Sequence, residues 1–452
     1  MKHLTRRLLL LLPALLLAAG QPPALAAQQQ TAPPPGQDDV TLVIEGQARP
    51  ALRLAFPALE ATTALTGDVA RAAREMDEVL RYDLEFSRWF DIQGPWAFDV
   101  LTLTGEAAAD FEQYRSLGNE YVLLTEARAE GGRLVVEGRL FDLASGEAVV
   151  AKRYKGEPAV ARRLAHTFAD EIIRSLTGRP SVALTSLAFT SDRTGHKEIW
   201  VMDYDGANLR RLTGHKSTSM SSSWHPTGDG IAYVSFWSGQ PSIYFAQLPS
   251  GAKSPVVTEG LFNISPSFSP DGRRVAYTKA LEGNSEIYSA NRNGSDERRL
   301  TFSQAIDTNA AWSPAGNLIA FTSSRAGNPH VYLMDTDGAD VRRLTFEGEY
   351  NDGAAWSPDG RFVAYASRRG GVFQIAVTNV ATLETRLLTS GRGSKEDPSF
   401  SPDGRHVAFV SDMEGGKQIY VVDFDGRNVR RLTRDGRNES PAWSPLPEGG
   451  SR

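Results

Sequence analysis

The 452-residue sequence contains no cysteine. Disulfides, thiolate catalysis and Cys-type zinc sites are therefore excluded. It lacks an excess of charge: the formal net charge is −5, and becomes −8 once Lys2, Arg6 and Arg7 go with the leader. No basic excess exists to hold nucleic acid or an anionic membrane surface. After residue 27 there is no apolar run long enough to span a bilayer. There is no Gly-x-Ser-x-Gly nucleophile elbow, no phosphate loop and no dinucleotide fingerprint. The histidines after the leader, His166, His196, His215, His225, His330 and His406, form no His-x-x-x-His pair or other metal-ligand spacing. No cofactor, no metal site and no catalytic residue is expected.

A repeat of about 44 residues fills the C-terminal two thirds. The aromatic before each Ser-Pro-type turn recurs as Trp224, Phe268, Trp312, Trp356, Phe400 and Trp443. A second register is Ile199, Ile243, Ile287, Val331, Ile375 and Ile419; a third is Thr213, Thr258, Thr301, Thr345, Thr389 and Thr433. Each unit holds four short β-branched or aromatic runs around turns such as Ser269-Pro270-Asp271-Gly272. Pro presets the first turn torsion and Gly frees the exit. Four strands in about 44 residues describe one β-propeller blade. A helical solenoid of the same period has no room for a helical stripe between these turns. The first unit lacks its leading Trp-Ser-Pro segment, and the last stops at Pro441-Ala442-Trp443-Ser444-Pro445. The fold expected is an all-β six-bladed propeller over 179–446, closed by the C-terminal strand, with 447–452 as a tail.

Residues 1–27 read as a cleaved secretory signal: a positive start, an apolar core Leu8–Ala19 and small residues before the cut. Gln28–Asp39 is Gln/Pro-rich and is expected to be a disordered tail. Residues 40–178 read as a small α/β domain. Strands are expected at Val40–Ile44, Leu52–Phe56 and near Phe90–Ile92, and helices at Asp68–Phe86, Ala107–Tyr114 and Pro158–Leu176. A meander is expected through Tyr121–Ala127, Leu134–Phe141 and Val149–Tyr154.

Units reading Pro398-Ser399-Phe400-Ser401-Pro402-Asp403-Gly404-Arg405, Gln418-Ile419-Tyr420-Val421-Val422-Asp423 and Arg430-Arg431-Leu432-Thr433 resemble the propeller repeats of the TolB family. Leader, α/β domain, six units and closing segment follow that family's order over nearly the whole mature chain. The resemblance implies a periplasmic, non-enzymatic component of the Tol-Pal system. It implies binding of the peptidoglycan-associated lipoprotein at the propeller mouth and contact with TolA through the N-terminal tail. It also implies a link between inner and outer membrane during envelope constriction and maintenance of outer-membrane integrity. A monomer is expected. Two turns depart from the repeat: Ala315 replaces the turn Asp, and Thr227 with Asp229 replaces it elsewhere.

The loop entering each innermost strand rings one mouth of the channel, and the positions before each aromatic do not repeat. They are Ser219-Met220-Ser221, Asn263-Ile264-Ser265, Asp307-Thr308-Asn309, Asn351-Asp352-Gly353, Lys395-Glu396-Asp397 and Asn438-Glu439-Ser440. Variation on one face of a regular array suits recognition, although loops also tolerate variation without function. The partner-binding residues expected are Met220, Ser221, Ile264, Ser265, Thr308, Asn309, Asp352, Gly353, Glu396, Asp397 and Glu439. Asp307, Asp352, Glu396, Asp397 and Glu439 against Lys395 make half of this rim acidic. That half suits basic side chains or a cation, and it motivates a second reading as a propeller enzyme or sugar-binding protein. Phe236-Trp237 is either an exposed anchor or a loop with one ring packed beneath it. His225 and His406, beside blade turns, are expected to face solvent. Asp203-Tyr204-Asp205-Gly206 and its two relatives lack the Glu of an EF-hand, since Gly214, Phe346 and Arg434 stand there, and read as hairpin turns.

Overall fold

A computed structural model describes residues 51–104, 107–281 and 283–447. The signal segment, the tail 28–39, the strand expected at Val40–Ile44 and residues 448–452 lie outside them. No helix among the described residues is long and apolar enough to cross a membrane.

The N-terminal elements are β1 (Leu52–Ala55), β2 (Glu60–Ala61), α1 (Gly67–Phe86), β3 (Phe90–Gln93), α2 (Ala107–Ser116), β4 (Tyr121–Glu130), β5 (Arg133–Asp142), β6 (Ala148–Gly156) and α3 (Ala161–Thr177). They form one sheet ordered β3-β1-β4-β5-β6, with β2 beside the far half of β4. β1 runs parallel to both β3 and β4, so α1 is the crossover of a βαβ unit. Val69, Ala72, Ala73, Met76, Val79, Leu80 and Leu84 give α1 one apolar face, and all are buried. Gly138 in β5 makes room for α3: a Cβ there would lie 2.2 Å from the Phe168 ring.

Residues 186–443 make six four-stranded antiparallel sheets. The second begins with Ser219–Trp224, and the sixth ends with Arg430–Arg431. The first is shared: Asn438–Trp443 pairs with Ser186–Ser191, followed by Glu198–Asp203 and Arg210–Arg211. Each innermost strand packs on the next, and the last packs on the first, which closes the ring. The fold is a six-bladed β-propeller preceded by a small α/β domain.

One hydrogen bond unites two of the sequence registers. The Thr hydroxyl accepts from the backbone N–H of the apolar residue fourteen positions earlier: Thr213 from Ile199 (2.8 Å), Thr301 from Ile287 (2.9 Å), Thr345 from Val331 (3.0 Å), Thr389 from Ile375 (2.9 Å) and Thr433 from Ile419 (2.9 Å). The same hydroxyl meets the buried polar side chain just before that residue: Glu198, Glu286, His330, Gln374 or Gln418. The second blade is the exception. Its outer strand Lys253–Val257 pairs with a register shift, so Val257 stands opposite Ile243 and Thr258 is exposed. Thr345→Val, which leaves the buried Val331 N–H without its partner, should therefore cost about 1–3 kcal/mol. Thr258→Val should cost nothing measurable. Thermal melts of the two variants check the contrast.

The α/β domain sits against the hairpin-turn ends of the first and sixth blades. Phe86 stacks on His406 with ring centroids 4.0 Å apart, Arg88 pairs with Asp423 at 2.7 Å, and the Arg405 guanidinium lies 3.5 Å over Trp89. Asp83 of α1 accepts from the Tyr204 hydroxyl and lies 2.8 Å from His166 Nδ1. Burial pushes the Asp83 carboxyl up, and hydrogen bonds from His166 and Tyr204 work against that rise. The solvent-facing expectation for His406 and His225 is corrected here. His406 is fully buried because α1 covers its turn. His225 is buried between Phe268 and the backbone of Gly272.

Candidate functional site

The channel mouth lies at the other end of the blades, where the innermost strands begin. The expected partner-binding residues fall inside these strands and not in loops. The strands start at Ser219, Phe262, Asp307, Tyr350, Lys395 and Asn438. The connecting segments lie just before them. The three positions of each unit differ in role. The first position, Ser219, Asn263, Asp307, Asn351, Lys395 or Asn438, is buried in every blade. It ties down the preceding loop: Asn351 donates to the Glu347 carbonyl (2.7 Å), Asn438 to that of Asp435 (3.0 Å), and Asn263 to that of Glu259 (3.2 Å).

The second position, Met220, Ile264, Thr308, Asp352, Glu396 or Glu439, is half-buried and pairs across to the second strand. The third, Ser221, Ser265, Asn309, Gly353, Asp397 or Ser440, has positive φ, between 51° and 71°, and every pairing register shifts there. This is a β-bulge repeated six times, which turns the backbone into the channel wall. Ser, Asn, Asp and Gly are the residue types that take that conformation at least cost. Neighbouring blades are stitched together at this level. Ser265 donates to Asn309 (2.7 Å), Asn309 to Asp352 (2.7 Å), and Ser440 to Asp397 (3.1 Å). Burial raises the Asp397 carboxyl, partly opposed by the Ser440 hydrogen bond, and Glu396 adds to the rise.

The acidic half-rim is corrected by its partners. Lys417 lies 2.8 Å from Glu396, Lys197 bonds Glu439, and Asp307 is buried against Arg325 at 2.8 Å. Burial works against the Lys417 ammonium, but Glu396 overcomes it and holds the group charged above its usual range. These cations come from the connections between second and third strands, which reach the same mouth. Asp352 accepts from Asn309, Thr322 and the Gly353 N–H. The rim is mostly charge-compensated. A cluster of three residues with metal-ligating side chains, His166, Asp203 and Asp205, stands at the opposite end, beside α3.

Apolar side chains on the loops were not legible from the repeat. Trp237, Leu261, Phe302, Ile306 and Phe346 are 56–78% exposed. They lie on four consecutive stretches of the mouth face, and Arg299 and Arg343 lie over Phe302 and Phe346. The sequence signal was the aromatic after Arg-Arg-Leu-Thr in two units. Trp237 is exposed and stacked on His215 at 4.5 Å, while Phe236 is half-buried beneath the loop.

The described residues thus form a six-bladed β-propeller with a hydrogen-bonded channel wall and exposed aromatics along one arc of one mouth. The comparisons give the family. Residues 173–447 match the TolB beta propeller domain and residues 40–149 the TolB amino-terminal domain, and the chain belongs to the TolB family. A Tol-Pal system protein TolB from Desulfosudis oleivorans is 36% identical over 46% of this chain and 48% of its own length. A TolB homolog from Chlorobium chlorochromatii is 32% identical over 49% and 50%. These alignments span about half the length of those relatives. The crystal structure of TolB from Acinetobacter baumannii superposes with a TM-score of 0.73 at 26% identity, covering 87% of this chain and 97% of that one.

Proposed function

We propose that this protein is a periplasmic interaction scaffold without catalytic activity. It binds the peptidoglycan-associated lipoprotein at the propeller mouth and reaches TolA through the segment before residue 40. In this way it links the two membranes during envelope constriction and supports outer-membrane integrity. Residues 1–27 direct its export. The observation that carries the reading is the mouth itself. Met220 and Ile264 lie on one arc of the channel entrance, and exposed Trp237, Leu261, Phe302 and Phe346 stand on consecutive loops along the same side. Exposed aromatics around a concave opening favour protein docking. The enzyme or sugar-binding reading needs free carboxylates, and the pairing of Glu396 with Lys417 and of Glu439 with Lys197 removes its main support.

The test is kinetic, with purified lipoprotein over immobilised mature protein. Ile264→Ala should raise the dissociation rate roughly tenfold, as expected for loss of about 1–2 kcal/mol of packed contact. Glu396→Gln should change the association rate less than about threefold, because a compensated rim charge steers weakly. Unchanged rates for Ile264→Ala and Met220→Ala together would place the binding site elsewhere.

A further inference from the structure

The junction between α3 and the first blade buries an imidazole with one nitrogen left over. His166 is 4% exposed. Its Nδ1 faces Asp83 Oδ2 at 2.8 Å, and Asp83 is fixed in turn by the Tyr204 hydroxyl. A carboxylate on Nδ1 sets the tautomer that leaves the lone pair on Nε2. Nε2 is buried and has no hydrogen-bond partner. It is aimed at the turn following Glu198–Asp203, with Asp205 Oδ2 3.8 Å away. One ligand atom from each of His166, Asp203 and Asp205 lies within 4.8 Å of the other two.

We propose that His166 Nε2, Asp203 and Asp205 form a binding site for a divalent transition metal ion of the zinc class. A carboxylate–histidine pair presenting Nε2 to a metal is a recurrent way of holding such a ligand in orientation. Zinc ligands at about 2.0–2.2 Å from the ion lie roughly 3.4 Å apart in a tetrahedron, so the observed 3.8 Å needs only a small contraction. The imidazole selects against calcium and magnesium, which take oxygen ligands. Two side chains now hold the carboxylates. Arg162 pairs with Asp205, and Asn208 donates to Asp203 at 2.6 Å. Arg162 is the competitor for the ion, and it has an alternative partner in Glu75, 3.5 Å from its Nη1. Among the described residues no such three-ligand group stands at the turn Asp335–Gly338, and in the sixth blade Asp423, which lies 3.5 Å from His406 Nε2, is paired with Arg88. A bound ion would cross-link α3 to the first blade, and so the α/β domain to the propeller.

The experiment uses tag-free mature protein, stripped with chelator and titrated with zinc by calorimetry; cobalt absorption reports ligand type. One zinc ion should bind per chain, with a micromolar or lower dissociation constant and a rise in melting temperature. Asp203→Asn, at a half-exposed position that leaves the Asp83–His166 pair intact, should weaken binding at least tenfold. Arg162→Gln should tighten it by removing the competing cation, an outcome that a purely structural ion pair does not give. Absence of stoichiometric zinc binding overturns the proposal. So does binding of equal strength in wild type and Asp203→Asn, or calcium bound in preference to zinc.

Discussion

Removing residues 438–452 should leave a protein that melts at least roughly 10 °C lower than the full chain, or that does not fold. The deleted strand is the innermost strand of the first blade, paired from Asn438↔Ser191 to Trp443↔Leu187. Trp443 is 7% exposed and donates its indole N–H to Thr185 at 2.9 Å. Truncating a buried Trp alone costs about 3–5 kcal/mol. Ser444 exchanges hydrogen bonds with the Ser186 backbone, and the indole of Trp224 in the next blade donates to the Ala442 carbonyl at 3.0 Å. Deletion also exposes the edge of Ser186–Ser191 to foreign strands. The sum is a large part of the 5–15 kcal/mol that stabilises a typical domain. Differential scanning calorimetry decides it, with Trp443→Ala as the milder companion. Equal melting temperatures for the truncated and full chains would mean that the ring does not depend on its shared blade.

The fold was legible because each repeated residue performs one repeated task. The aromatic before Ser-Pro fills the joint between blades, and the apolar residue and the Thr are the two ends of one hydrogen bond. Thr258 is the exception. Thr258 stands fifteen positions after Ile243 where the other five stand fourteen after theirs, and that one extra residue in its strand moves it out of the hydrogen bond. The two turns that depart from Ser-Pro-Asp-Gly keep their hydrogen bonds, Gly228 N–H to His225 O at 2.8 Å and Gly316 N–H to Ser313 O at 2.9 Å. The repeat's geometry outweighs a single missing Asp.

The site was legible in outline and not in charge. Six positions holding only Ser, Asn, Asp and Gly, at a 44-residue period, carry the signature of a left-handed bulge, although a loop offers the same residue types. The compensating cations were hidden for a different reason. Lys417 is 21 residues from Glu396, and Arg325 is 18 from Asp307, so only the hairpin register brings them together. Lys197 and Glu439 meet only because the ring closes. His406 was misplaced because its cover, Phe86, belongs to the α/β domain more than three hundred positions earlier. Local pattern carries no information about such a contact.

Lys395→Met should lower stability by about 2–3 kcal/mol, the range for hydrogen bonds made by a charged group. Lys395 is 2% exposed, and the three N–H groups of its ammonium are shared among four carbonyls of the loop before it: Ser390 (3.0 Å), Gly391 (3.1 Å), Arg392 (2.8 Å) and Gly393 (3.0 Å). Burial pulls the Lys395 ammonium below its usual range, with Asp412 acting against that. The carbonyl cage is what keeps a cation in a place that disfavours one. Methionine retains the stem and its packing but presents an apolar end to four acceptors. Lys395→Asn should fall between the two, because Asn351 and Asn438 hold their loops in sister blades through one carbonyl each. The order Lys above Asn above Met should appear both in melting temperature and in resistance of residues 389–394 to limited proteolysis. If the Met variant is as stable as the parent, water satisfies those carbonyls and the ammonium does not shape this part of the mouth.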